Sequence, residues 1–228
     1  MKALSAGNKE QALLARVDHT LLGVTATEAD YIKLCDEGAE YKVASVCVPP
    51  SRVELCVKHL AGRIPVCTVV GFPNGYMDSM AKARETEIAI QQGATEIDMV
   101  IDIGRVKDKD FEYVLADIRA VRAACEGHIL KVIIETAHLT PEEKIKLCGI
   151  VSTSGADYIK TSTGFAGGGA TFDDVALLRQ HVASHVKVKA AGGITTLEDA
   201  VRFVELGADR LGTSRIVKLA QGLKGSGY

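Results

Sequence analysis

The sequence predicts an α/β fold, a (β/α)8 or TIM barrel in a single domain, on three observations. Gly-Ala recurs at Gly38-Ala39, Gly93-Ala94, Gly155-Ala156 and Gly207-Ala208, each time between a helix-like segment and an apolar strand-like one. Glycine is a favoured helix stop. The pairs lie 55, 62 and 52 residues apart, about twice the ~30 residues of one strand-plus-helix unit. Strand-like runs at the marked and intervening positions number eight within 228 residues, and that alternation is the barrel's signature. No G-x-G-x-x-G turn follows the first strand, as an open doubly wound sheet usually carries.

In chain order, the strand-like runs are Arg16–Thr20, Val43–Val48, Ile64–Val70, Glu96–Ile101, Leu130–Glu135, Tyr158–Thr161, Val186–Ala190 and Arg210–Gly212. Helix starts lie between them. Thr27 precedes Glu28, Thr140 precedes Pro141-Glu142-Glu143, Thr171 precedes Asp173-Asp174, and Thr196 precedes Glu198-Asp199. Each places a capping hydroxyl ahead of carboxylates that suit the positive end of the helix dipole. The tail 221–228 is glycine-rich without a periodic apolar face, and is expected to be flexible. No Pro- or Ser-rich linker divides the chain, so residues 1–228 are read as one domain.

Composition narrows the function. Basic residues number 27 against 29 acidic ones, a net charge of −2, which offers no field for nucleic acid or an anionic membrane. No apolar run approaches the ~18 residues of a membrane span, and Met1–Thr20 is broken by Lys2, Asn8, Lys9, Glu10 and Arg16, so neither secretion nor insertion is expected. The six cysteines are Cys35, Cys47, Cys56, Cys67, Cys125 and Cys148. They form no C-x-x-C pair, which argues against a zinc or iron–sulfur site and for reduced thiols in a cytoplasmic protein.

Strand parity then places charges inside the barrel. In Val186-Lys187-Val188-Lys189-Ala190 the lysines share one face. Lys131 and Glu135 share one face of their strand, and Asp98 lies opposite Ile97 and Met99. Lys160 follows Ile159 near its strand's C-terminal end, and Asp18 falls inside by the same parity. Lys131, Lys160, Lys189, Asp98 and Asp18 are therefore expected in a lumen that ordinary barrels fill with branched aliphatic side chains. Unpaired buried charge costs several kcal/mol, so such a set is paired, hydrated or kept for chemistry. Rim positions reaching solvent are the bland alternative for any one of them.

Two interior lysines beside acids have a chemical use. A second cation and partial desolvation disfavour the ammonium form of a lysine, which becomes a nucleophile able to form a Schiff base. Its neighbours can relay protons, and a protonated imine needs no metal or other cofactor. Beyond the strands come Thr161-Ser162-Thr163-Gly164, Ala190-Ala191-Gly192-Gly193 and Gly212-Thr213-Ser214. Turns of this kind after the last strands form the usual phosphate cradle of this architecture. Gly167-Gly168-Gly169 reads only as a mobile loop before the helix at Thr171.

At these residues the chain resembles the deoxyribose-phosphate aldolase family of class I, Schiff-base aldolases. The matching segments are Asp18-His19-Thr20-Leu21-Leu22, Ser45-Val46-Cys47-Val48, Glu96-Ile97-Asp98-Met99-Val100, Leu130 to Thr136, Tyr158 to Gly164 and Val188 to Gly193. They run in family order over nearly the whole chain. The resemblance implies reversible cleavage of 2-deoxy-D-ribose 5-phosphate to acetaldehyde and D-glyceraldehyde 3-phosphate in deoxyribonucleoside catabolism. It gives Lys160 the imine and Asp98 and Lys189 the proton transfers. Asp18, Thr20 and Cys47 become pocket residues, with Cys47 also readable as a passive core thiol, and Lys131 a charged support. Thr163, Gly164, Gly192, Gly193, Gly212 and Ser214 fall in the substrate-binding and phosphate loops.

Some members carry lysine after the Thr-Gly turn where this chain has Phe165, which leaves backbone donors, with Arg215, to hold the phosphate. Tyr228 matches a terminal tyrosine that in some members helps proton exchange. The family is often dimeric or tetrameric, and the expected partners are small sugar phosphates and aldehydes. The residues alone also fit a phosphate-binding isomerase or decarboxylase with a Lys–Asp network and no imine, or a sugar-phosphate binder without turnover.

Overall fold

The computed structural model describes residues 6–223. Tyr228 and the rest of the tail beyond Leu223 lie outside the described residues. Eight parallel strands close on themselves in chain order. They are β1 (Val17–Thr20), β2 (Ser45–Val48), β3 (Val66–Val70), β4 (Glu96–Val100), β5 (Ile129–Ile133), β6 (Tyr158–Lys160), β7 (Lys187–Ala191) and β8 (Arg210–Thr213). Closure is made by β1, which pairs with β2 at Asp18↔Ser45 and with β8 at Asp18↔Gly212. The helices are α1 (Ala6–Leu14), α2 (Glu28–Glu40), α3 (Val53–Leu60), α4 (Ser79–Gln91), α5 (Ile103–Lys107), α6 (Phe111–Ala124), α7 (Pro141–Ser154), α8 (Phe172–His181), α9 (Leu197–Glu205) and α10 (Arg215–Ala220).

All four expected caps form. Thr27 and Thr140 make reciprocal capping boxes with Asp30 and Glu143, while the Thr171 and Thr196 hydroxyls accept from the Asp174 and Asp199 N–H groups. Such a cap stabilises by about 1 kcal/mol. Two helices lie outside the predicted alternation: α1 before the first strand, and the one-turn α5 capped by Asp102.

The Gly-Ala signal splits. Gly93, Gly155 and Gly207 take left-handed backbone with φ of 99°, 88° and 102°, the conformation of a helix stop. Gly38 does not stop its helix, because α2 continues to Glu40. A Cβ there would lie 2.9 Å from both Ile64 Cδ1 and Val46 Cγ1, so Gly38 lets α2 lie close against the sheet. The fifth strand is also shorter than expected, because Glu135 has φ 53° and turns the chain out of extended geometry.

Parity sorts the core into two compartments. Outward residues such as Val46, Val66, Ile97, Val132, Ile159, Val188 and Leu211 join one aliphatic core against the helices, each contributing about 1.5–3 kcal/mol on burial. Inward-facing Cys47, Cys67 and Val69 form a small separate cluster with Leu22, and Phe72 packs against it. The rest of the lumen sets a charged cluster among Ser45, Val100, Ile133, Tyr158 and Ala191.

Candidate active site

The lumen brings together all five charges expected there and adds two. Asp18, Asp98, Lys131, Lys160 and Lys189 are buried, with Lys160 3% exposed and Asp98, Lys131 and Lys189 fully enclosed. Lys160 and Lys189 are register partners on β6 and β7, and both ammonium groups donate to the same oxygen, Asp98 Oδ2, at 2.8 and 2.7 Å. Lys131 holds the other oxygen, Asp98 Oδ1, at 2.8 Å.

The additions are Glu96 and Arg210. Lys131 Nζ lies 2.6 Å from Glu96 Oε2, and Arg210 bridges Glu96 and Asp18. Parity does put Glu96 on the face of Asp98, but both newcomers open their strands, where a charge reads equally well as a rim residue. Their partnership spans 114 positions of sequence.

The carboxylates are shared unequally. Among the described residues Lys131 faces Asp18, Glu96 and Asp98; Lys189 faces Asp18 and Asp98; Lys160 faces Asp98 alone. Burial opposes charge on Lys131 and Lys189, yet the carboxylates, Asp18 foremost, outweigh it and push both above the ordinary lysine range. Burial likewise works against the Asp18 and Asp98 carboxylates, and the lysines around them overcome it and hold both below the ordinary range. With every group ionised, four cations meet three carboxylates, one positive charge in excess. Of the three lumen lysines, Lys160 is the one least matched by carboxylates.

The loops beyond β6, β7 and β8 meet at the same end. The Gly192 N–H donates to the Gly212 carbonyl at 3.3 Å, and a Cβ on Gly192 would lie 3.3 Å from the Gly164 Cα. Gly164, Gly192 and Gly193 have φ of 82°, 74° and 73°, geometry that suits glycine. Gly212 has a second reason: a Cβ would sit 3.0 Å from Lys189 Cε. The triple-glycine segment is a docked loop rather than the loose one expected. Ala170 N–H donates to the Ala191 and Gly192 carbonyls at 3.0 and 3.1 Å, and a Cβ on Gly169 would strike the Gly192 backbone at 2.6 Å.

Thr163 is fixed by Glu135, whose Oε2 accepts its N–H at 3.1 Å and its hydroxyl at 2.5 Å. Thr20 and Ser214 line a cleft of about 330 Å³ between the end of β1, α2 and α10. Thr20 Oγ1 itself donates to the Asp18 carbonyl at 2.7 Å. His19 faces the helix layer, with Nε2 2.9 Å from Glu37 Oε2. Phe165 stacks edge-on against Phe72, centroids 5.2 Å apart, and the Arg215 N–H donates to Thr213 Oγ1.

Cys47 points into the lumen, where Cys47, Cys67 and Asp98 place possible metal-ligand atoms within 4.8 Å of one another, as do Asp18, Cys67 and Glu96. All of these carboxylates are already met by ammonium or guanidinium groups, which compete with a metal cation for the same oxygens. No described helix is long and apolar enough to cross a membrane.

Comparison with known proteins gives these groups a context. A deoxyribose-phosphate aldolase of Streptococcus agalactiae is 52% identical over 212 residues, covering 93% of this chain and 95% of the relative. A crystal structure of a putative deoxyribose-phosphate aldolase from Coccidioides immitis superposes with a TM-score of 0.87 at 43% identity, covering 90% and 82% of the two chains. A tetrameric deoxyribose phosphate aldolase from Aeropyrum pernix gives a TM-score of 0.86 at 30% identity, covering 93% and 91%. With residues 12–223 matching the profile of the DeoC/LacD family aldolases, the chain belongs to that family.

Proposed function

We propose that this chain is a deoxyribose-phosphate aldolase, reversibly cleaving 2-deoxy-D-ribose 5-phosphate to acetaldehyde and D-glyceraldehyde 3-phosphate through an imine on Lys160. The observation that carries the reading is the single Asp98 oxygen held by both Lys160 and Lys189.

The chemistry follows from the charge balance. Release of one proton from Lys160 leaves the lumen neutral, with Lys131 and Lys189 retained as cations by their carboxylates. The free amine adds to the sugar's aldehyde carbon, and loss of water gives a protonated imine. Asp98, with Lys189 beside it, accepts the proton of the C3 hydroxyl. The C2–C3 bond then breaks, and its electron pair enters the imine as an enamine. Glyceraldehyde 3-phosphate departs, a proton returns to C2, and water hydrolyses the imine to acetaldehyde. Lys131 keeps Asp98 ionised and oriented through Oδ1. The clustered turns at Gly164, Gly192, Gly193, Gly212 and Ser214 hold the phosphate, with Thr163, Thr20, Asp18 and Cys47 around the sugar.

The family's aldolase identity favours this reading over an imine-free isomerase, a decarboxylase or a binder without turnover. One catalytic domain, a cytoplasmic location consistent with six unbridged cysteines, and a homo-oligomer like the tetrameric relative complete it. Steady-state cleavage of the sugar phosphate, coupled to reduction of the triose product, tests the activity. Borohydride trapping with acetaldehyde tests the intermediate: an adduct mapped to Lys160 is expected, and an unmodified Lys160 in an active enzyme overturns the assignment.

A further inference from the structure

The lumen holds two sulfur atoms that this mechanism does not use in any step. Cys47 on β2 and Cys67 on β3 are direct register partners, and both are fully buried and inward-facing. Neighbouring strands run ~4.7–4.9 Å apart, within the ~4.4–6.8 Å Cα separation that a disulfide accepts. Their Sγ atoms and an Asp98 oxygen lie within 4.8 Å of one another. The Cys67 thiol donates to Asp98 Oδ1 at 3.2 Å and accepts from Lys131 Nζ at 3.2 Å. A bond between the sulfurs would therefore remove a proton donor from the carboxylate that handles the reaction's protons.

We propose that Cys47 and Cys67 are a peroxide-oxidisable dithiol, and that their disulfide reversibly slows the enzyme by taking the Cys67 thiol away from Asp98. Cys47 gives up its proton and attacks one oxygen of hydrogen peroxide. The O–O bond breaks, and the departing hydroxide takes up that proton as water, leaving Cys47 as a sulfenic acid. Cys67 then attacks the sulfenyl sulfur, the S–O bond breaks, and hydroxide leaves with the Cys67 proton as a second water. Two thiols are oxidised by two electrons while one peroxide is reduced.

The surroundings fit this order. The neighbouring Cys67 sulfur, with Lys189 and Lys160 nearby, draws the Cys47 thiol below its ordinary value against burial and Asp98, whereas burial and Asp98 push Cys67 up. Solvent reaches the mouth of the lumen at Lys160, which is 3% exposed, and peroxide is a small oxidant that can follow it. Cys35 and Cys56 are a built-in control, being buried in the core on α2 and α3, outside the lumen.

The effect on rate rests on the aldolase reading; the disulfide does not. The experiment exposes the full chain to hydrogen peroxide, blocks free thiols and maps cross-linked peptides without reduction, following cleavage of deoxyribose 5-phosphate in parallel. A Cys47–Cys67 cross-link is expected, with a rate loss of about tenfold or more that dithiothreitol reverses. Cys67→Ala and, separately, Cys47→Ala should form no such cross-link, and Cys47→Ala should also lose the dithiothreitol-reversible component of the loss. Both thiols remaining alkylatable after peroxide, or oxidising singly without joining, overturns the dithiol. A cross-link with undiminished rate overturns the link to Asp98. A cross-link in a chain that never cleaves the sugar phosphate upholds the dithiol and overturns the aldolase reading instead.

Discussion

Among the described residues, two places bury lysine completely, and they do it differently. Between α4 and α6, Lys82 meets Asp117 at 2.7 Å and also donates to the Val100 carbonyl at 3.0 Å, with neither charge exposed. That pair is balanced, one cation to one anion. In the lumen, Lys131, Lys160, Lys189 and Arg210 meet Asp18, Glu96 and Asp98, and one cation remains over. The first arrangement braces the end of the strand that carries Asp98. The second leaves Lys160 with Asp98 as its one carboxylate partner among the described residues. The difference teaches that burial of lysine is not itself the sign of chemistry; the imbalance is.

The same kind of substitution should therefore have opposite effects in the two places. Lys160→Leu removes the proposed nucleophile, and cleavage is expected to fall by roughly 10⁴-fold or more. The fold should survive with a loss within about 1–2 kcal/mol, because the remaining lumen charges match. Cleavage by that variant near the parent rate, measured in the coupled assay, breaks the comparison. Asp98→Asn leaves two cations in excess, and turnover is expected to fall by about 10²–10⁴-fold. Borohydride should still trap an adduct on Lys160, so unaffected turnover would remove Asp98 from proton transfer.

Lys82→Met strands the Asp117 carboxylate and is expected to cost about 3–5 kcal/mol of stability, read by urea unfolding. Its rate per folded molecule should change far less than for the lumen variants.

The smallest effect is one of sign with pH. The lysines hold Asp18 and Asp98 below 3.8, so their stabilisation is present above that pH and is lost as pH falls through the folded values. Asp117 goes the other way: burial outweighs Lys82 and raises it above 3.8. Its contribution is full below 3.8 and declines as pH rises through the folded value. Unfolding of Asp117→Asn between pH 4 and 7 should therefore show stability rising more steeply with pH than in the parent chain. Parallel curves would argue against a raised Asp117.

Alternation made most of this legible in the sequence. Ile97 and Met99 facing the helices forces Asp98 inward, and the same logic places Lys160 beside Lys189. What stayed hidden needed distance or crowding. Arg210 and Glu96 look like strand-end charges until the barrel closes and brings them together. Gly38 looks like its three counterparts, because sequence does not distinguish a glycine required by backbone angle from one required by the nearness of Ile64. Cys67 reads as an apolar core thiol because its importance lies in what stands on β2 and β4 beside it.

Closure of the sheet has one more consequence. With β8 hydrogen-bonded back to β1, no strand has a free edge along which to slide. A slip of one position would send Lys160 toward the helices and bring Ile159 into the interior, and every neighbour would have to shift around the ring to accommodate it. Misregistered versions of the site are thus disfavoured by topology, and a ring that closes in register brings Lys160, Lys189 and Asp98 together.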